Sequence, residues 1–219
     1  MGKVVLAAIT QSLVPEIETP GDLLSYFARV SSTANEKNTA TGPRLLRYLI
    51  DNKEWSPYEM INLVFTIETE RDVARQMLRH DFRFQEFSQR YAVVLAPFIR
   101  RRARMQDHKN RQNSFDTEDV RVVLGWSIGQ WLVGFVCGLV YRTALHFGVA
   151  KEVARSVLPE GMTASRMHAN GYLRNWFFYC HTRCNNKTQR EHREIAWQIR
   201  DILAEQFPDL ADRLPQREV

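Results

Sequence analysis

Arg75-Gln-Met-Leu-Arg79-His80-Asp81-Phe-Arg83-Phe-Gln-Glu86-Phe-Ser88-Gln-Arg90-Tyr91 is the stretch whose reading decides the fold, because the hydrophobic period changes inside it. Val73 and Met77, and Ala74 and Leu78, make apolar i,i+4 pairs, while Arg71, Arg75 and Arg79 share another face. That pattern predicts a helix over residues 72–79. The last part has a period of two: Glu86, Ser88 and Arg90 fall on one face of a strand, Gln89 and Tyr91 on the other. A helix end and a strand start then bring guanidinium groups toward a carboxylate and a hydroxyl. Arginine offers a planar fork of donors suited to phosphate, and the carboxylate and hydroxyl suit a sugar or base. A solvated basic helix face followed by an edge strand is the plainer alternative.

Outward from this stretch, residues 4–9 read as a buried strand and residues from Gly21 to about Arg29 as a helix. Residues 43–52 read as a helix with Leu45, Leu46, Leu49 and Ile50 inward. Trp55-Ser-Pro-Tyr-Glu59 is a turn into a strand over 61–70. Residues 97–114 are mostly polar and read as a long, mobile or functional connection. They carry Arg100-Arg-Arg-Ala-Arg104, which supplies phosphate contacts without a base-reading motif or interleaved aromatics; no stable nucleic-acid partner is expected. Thr117-Glu-Asp119 offers a cap and first-turn acids for the helix that follows.

Residues 122–140 are nearly all apolar, flanked by Arg121 and Arg142, and approach the ~20 residues that span a bilayer. Gly125/Gly129 and Gly134/Gly138 form small-xxx-small pairs. In a chain otherwise built like an enzyme, this segment reads as a buried helix at a subunit contact, with membrane insertion as its rival. A helix around 149–157, a strand over 163–169 and helices over 172–182 and 188–207 complete the pass. No repeat or domain boundary is visible, so residues 1–219 read as one domain.

The 219 residues, 44% hydrophobic and 25% charged, allow a substantial core. A net charge of +5 favours anionic partners. Cys137, Cys180 and Cys184 make no disulfide framework, which points to a reducing cytoplasm, and the first apolar run is too short for a signal peptide. Cys180-His-Thr-Arg-Cys184 has a spacing that zinc thiolates use, but no second Cys/His pair matches it; core thiols and no metal are expected.

The opening stretch resembles the signature of the flavin-dependent thymidylate synthases, Arg-Gln-x-x-Arg-His-Arg…Glu-x-Ser-x-Arg-Tyr. Further strings follow in that family's order: Ala154-Arg-Ser-Val-Leu-Pro159, then Arg174-Asn-Trp-Phe-Phe-Tyr-Cys-His-Thr-Arg183, continued by Gln189, Glu191 and Glu194. Ala28-Arg-Val-Ser-Ser32 resembles its N-terminal region. One departure stands out. Asp81 replaces the third residue of Arg-His-Arg, and six residues instead of seven separate it from Ser88. Either Arg83 restores the charge or the flavin and folate contacts of this loop differ.

The resemblance implies an α/β (α+β) subunit, a twisted antiparallel sheet flanked by helices, assembling as a cytoplasmic homotetramer with active sites between subunits and no membrane. It implies methylation of dUMP to dTMP, with methylenetetrahydrofolate as carbon donor, NADPH as reductant and FAD as cofactor. No Gly-x-Gly-x-x-Gly is present, so the flavin would not sit on a Rossmann helix end. Gln76, Arg79, Glu86, Ser88, Gln89, Arg90, Arg155 and Arg183 are the implied nucleotide contacts, with Glu86 between nucleotide and flavin. Ser56, Arg79, His80, Asn170, Tyr172 and Arg174 are implied flavin contacts. They are joined by Asp81 at the site of the missing Arg and by Phe178, where relatives often hydrogen-bond. Arg183 is the implied catalytic residue, a fixed cation favouring the ionised N3 of uracil; a structural ion pair with Glu191 or another acid is the alternative. Two other functions stay open: a hydroxymethylase in which water enters through the altered loop, and a nucleotide or RNA binder without chemistry.

Overall fold

The computed structural model describes residues 2–94 and 97–217. Its main sheet has the order β1-β2-β6-β3 and is antiparallel throughout: β1 is Lys3–Ile9, β2 Asn62–Glu70, β3 Arg83–Glu86 and β6 Ala164–Tyr172. β2 alternates as a half-buried strand should. Leu63, Phe65 and Ile67 point into the core with Met167 and Ala169 of β6. Thr66 and His168 face outward and bond each other at 3.0 Å. Helices α6 (Leu173–Arg183) and α7 (Arg190–Gln206) contribute Trp176, Phe177, Ile195 and Ile199 to the same core as the strands. Helices α1 (Pro20–Ala28) and α2 (Gly42–Asp51) extend that core through Leu23, Leu24, Leu46 and Leu49. Leu45 and Ile50 of α2 pack at its margin. Thr19 caps α1 by accepting from the Asp22 amide at 3.0 Å, with Pro20 in the first turn.

Five expectations need correction. β1 is not buried: it is an edge strand with only Val4 in the core, and Gln198 of α7 brackets its backbone at Gly2 O and Val4 N. The strand in the opening stretch ends at Glu86. Phe87 N makes one last bond to Arg166 O at 2.8 Å, and the chain then turns at Ser88. β6 continues past this point to Ala164, but Ser88 O accepts from the amides of Tyr91 and Ala92, and that turn carries residues 88–91 off the sheet edge. Ser88 and Arg90 therefore do not share a strand face with Glu86.

The polar segment 97–114 is not an open connection. It builds a hairpin of β4 (Arg104–Gln106) and β5 (Ser114–Asp116). Asp107 accepts from the Lys109 and Asn110 amides, and Gln106 Nε2 donates to three carbonyls of the loop. The polar side chains that made the segment look open satisfy its own backbone. The helix at 149–157 is only Lys151–Ala154 (α5) with a 3-10 turn, Arg155–Val157.

The fifth correction concerns the apolar segment. It forms α4, Val120–His146, capped by Asp119. Only Gln130, Gly138 and Tyr141 are buried within the chain, while Trp131, Leu132, Phe135, Val136 and Leu139 are exposed. Phe98 explains the second glycine pair: a Cβ at Gly134 or Gly138 would stand 3.1 or 3.3 Å from its ring, whereas Gly125 and Gly129 face open space. Gln130 accepts from Arg101 N at 2.8 Å and donates to Arg101 O at 2.9 Å. Arg101 in turn grips both oxygens of Asp72 at 2.7 Å, tying α4 to α3 (Arg71–Met77).

Gly171 lets β6 pass under the Phe82–Trp176 ring stack, whose centroids are 3.9 Å apart. A Cβ there would overlap the Phe82 ring and lie 3.4 Å from Trp176 Nε1. Gly171→Ala is expected to cost about 1–3 kcal/mol through overpacking. A thermal melt should show Tm falling by roughly 3–10 °C; an unchanged Tm would mean the stack yields freely.

Candidate active site

Three groups of predicted residues take shape around the sheet. The first is at the α3/α6/α7 junction. Arg183, on the last turn of α6, donates Nε–H to His80 Nε2 at 2.9 Å. His80 is therefore the acceptor and keeps its own proton on Nδ1. Its pKa is lowered to about 4, by burial first and by the Arg183 charge second. His192, fully buried on α7, is lowered to about 3 by burial, then by Arg183 and His80. The ion pair of Arg183 with Glu191 does not form; Glu191 accepts from Arg104 at 2.7 Å and from Gln189 at 2.9 Å. Arg183 thus rests on a neutral ring, and its charge is not cancelled there. Gln76 of α3 bonds Gln189 at 2.7 Å.

Both histidines bind protons more weakly folded than unfolded, so acid favours unfolding. Their contribution is complete above about pH 6.5 and is lost as pH falls through 6.5 toward 4 and 3. Chemical denaturation at pH 7 and pH 5 should differ by roughly 1–3 kcal/mol, allowing for solvent screening at partly exposed His80. Equal stabilities would show that the rings are not held neutral.

The second group lies where β3 meets β6. Arg83 stands opposite Asn170 in the register. Arg83 and Asp81 form an exposed pair at 3.5 Å, and Asn175 Nδ2 reaches Asp81 Oδ2 at 3.2 Å. Asn170 Oδ1 is buried without a hydrogen-bond partner. Tyr172 ends the same strand, half exposed. Arg174, at the start of α6, pairs with Glu59 and lies 5.6 Å from the centre of the Phe178 ring. Phe178 also packs on Trp55, next to Ser56. Phe178 is thus held by aromatic and cation–π contacts rather than by a hydrogen bond.

The third group joins two distant strings. Arg90 pairs with Glu152 at 3.5 Å, and Arg155 Nε donates to the Glu152 carbonyl at 3.3 Å. Gln89 beside them is buried, and its Nε2 has no partner. Ser88 Oγ accepts from Arg90 N at 3.4 Å. Glu86 accepts from Arg71 Nη1 at 3.2 Å and from Ser165 Oγ at 2.7 Å. Arg79 lies exposed just beyond α3. Among the described residues, no hydrogen bond or ion pair links the Arg90–Arg155 group to Arg183.

Sequence reasoning missed Arg71, Ser165, Glu59 and Glu152, the side chains that hold the expected site residues. Each is distant in sequence or reached by a turn that no pattern announces. The arginine run is partly spent internally, Arg101 on Asp72 and Arg104 on Glu191. Cys180 and Cys184 are buried, and burial pushes the Cys180 thiol well above its ordinary value, which disfavours a thiolate nucleophile.

Comparison with known proteins gives a consistent result. The family described as thymidylate synthase complementing protein matches residues 12–209. A probable flavin-dependent thymidylate synthase of Paramecium bursaria Chlorella virus 1 is 40% identical over 95% of this chain and 97% of its own. A flavin-dependent thymidylate synthase of Synechocystis is 41% identical over 90% of each. A solved structure of the UMP/dUMP methylase PolB from Streptomyces cacaoi, bound with 5-Br dUMP, superposes with a TM-score of 0.81 at 24% identity, covering 97% of this chain and 93% of that one. With the three motif strings in order on this fold, the chain belongs to the thymidylate synthase complementing protein family, that of the flavin-dependent thymidylate synthases.

Proposed function

We propose that this protein methylates dUMP to dTMP, using methylenetetrahydrofolate as carbon donor, NADPH as reductant and FAD as cofactor. The observation that carries the reading is Arg183: a guanidinium on a rigid helix end, resting on a neutral imidazole instead of a carboxylate. Such a cation stabilises negative charge developing on a uracil ring once water is excluded. Gln76, Arg79, Ser88, Gln89, Arg90 and Arg155 would bind the nucleotide. Glu86, steered by Arg71 and Ser165, would stand between it and the flavin.

The residues present fit a flavin. Asn170 Oδ1 is an acceptor awaiting a donor, and Ser56, Arg79, His80, Tyr172 and Arg174 add polar groups of both kinds. When bound, FAD supplies the hydride that completes the methyl group. The protein's own work is to orient the uracil, hold its charge and keep water out. Arg83 stands beside Asp81 in an exposed pair at 3.5 Å, so a cation offered by the shortened loop comes with a carboxylate next to it. That exposed pair also supports a second reading, hydroxymethylation of the same nucleotide, because a solvated loop edge admits water.

The exposed apolar face of α4 and the separation of the arginine groups favour a homotetramer with sites completed between subunits, cytoplasmic and outside the membrane. By length and composition α4 could cross a bilayer; recovery in the soluble fraction without detergent is the expected result.

The decisive assay is mass spectrometry of dUMP after anaerobic incubation with protein, FAD, NADPH and methylenetetrahydrofolate. Gain of a methylene unit supports thymidylate synthesis. Gain of a methylene plus oxygen supports the hydroxymethylase. No change, from a colourless protein that still binds nucleotide, would leave a binder.

A further inference from the structure

A chain of buried and half-buried polar side chains runs from the β4–β5 hairpin into the site. Arg104 donates to Glu191 Oε1 at 2.7 Å, and Gln189 Nε2 donates to Glu191 Oε2 at 2.9 Å. Gln76 Nε2 donates to Gln189 Oε1 at 2.7 Å, and His192 Nδ1 lies 3.2 Å from Gln76 Oε1. The charged end dictates the direction of every link. Arg104 can only donate, and an ionised Glu191 can only accept. Gln189 must therefore turn its NH2 to Glu191 and its oxygen to Gln76. Gln76 must turn its NH2 to Gln189 and its oxygen to His192, which is left to donate from Nδ1. His192 Nε2 is then a lone pair, and it has no partner. Glu191 is held below its usual range although burial opposes it, because hydrogen bonds from Gln189 and Arg104 prevail.

We infer that this relay, Arg104–Glu191–Gln189–Gln76–His192, fixes which end of the Gln76 amide faces the substrate, and that Glu191 and His192 are positioning residues for nucleotide binding. The inference rests on the reading of Gln76 as a dUMP contact. With one N–H committed to Gln189, Gln76 keeps its second N–H for an oxygen of the nucleotide. Inverting the amide would turn a donor into an acceptor at that point. A mismatched acceptor pair is costly in a desolvated site, so orientation translates into affinity.

Glu191→Gln tests this with almost no change of shape. Arg104 would still demand the oxygen of residue 191, leaving its new NH2 to face Gln189. Gln189 and Gln76 would then both reverse, and His192 would have to accept at Nδ1 and carry its proton on Nε2. Nitrogen NMR of the histidine rings in the full-length protein at pH 7, with the His192 signals assigned by their loss in His192→Asn, reads this directly. The expected result is an Nδ1–H tautomer in the native protein and an Nε2–H tautomer in Glu191→Gln. Calorimetric dUMP affinity should fall about tenfold in Glu191→Gln, measured at a temperature where circular dichroism shows the variant folded. The same tautomer in both proteins, or unaltered dUMP affinity, would overturn the relay's role. If the native protein binds no dUMP while the tautomer still reverses, the nucleotide reading fails and the relay stands.

Discussion

Arg183→Ala is expected to lower kcat for dTMP formation by about 10²–10³-fold while the protein stays folded. The side chain removed is partly exposed, and α6 keeps its anchors Trp176, Phe177, Tyr179 and Cys180 in the core. What disappears is a cation whose side-chain partner is an imidazole held neutral, so no opposing charge is left stranded. His80 should regain some basicity, though less than fully, because burial outweighs Arg183 in lowering it. Steady-state kinetics with circular dichroism checks the first point, and histidine NMR titration the second. Normal turnover by a folded variant would remove Arg183 from the catalytic role.

Leu132→Glu is expected to break the proposed homotetramer. Leu132 is half exposed on α4, among Trp131, Phe135, Val136 and Leu139, so the isolated subunit tolerates a carboxylate there. A subunit interface does not. An unpaired carboxylate desolvated between apolar helices costs several kcal/mol, on the order of 10²–10³-fold or more in the dissociation constant. Analytical ultracentrifugation is expected to show a tetramer for the native chain and smaller species for the variant, with turnover lost in parallel. A variant that remains tetrameric and active would place the subunit contact elsewhere.

Much of the fold was legible because its elements obey local rules. Leu63, Phe65 and Ile67 alternate, α2 repeats its leucines at helical spacing, and Asp119 caps α4 as Thr117-Glu-Asp119 suggested. The failures came where the hydrophobic pattern did not decide the outcome. The strand stops at Glu86 although β6 runs on to Ala164, because the chain turns at Ser88 where the alternation of residues 86–91 continues unbroken. The hairpin at 104–116 looked open because its order comes from Asp107 and Gln106 bonding backbone rather than from apolar packing. The apolar run of α4 marked a long helix and suggested a buried one, but hydrophobicity alone does not say whether a helix is covered by its own chain, and this one is not. In the site, motif residues were visible while their holders were not. Glu86 is steered by Arg71 and Ser165, and Arg90 meets Arg155 through Glu152.

Gln130 is buried on α4, and both ends of its amide are consumed by the Arg101 peptide. That attachment sets the rotational phase of the whole helix. Moving the glutamine by a single position would swing the side chains by about 100° around the axis and offer a neighbour a different stripe of residues. The stripe that α4 presents to any partner is therefore set inside the chain, by an amide bonded to the Arg101 peptide.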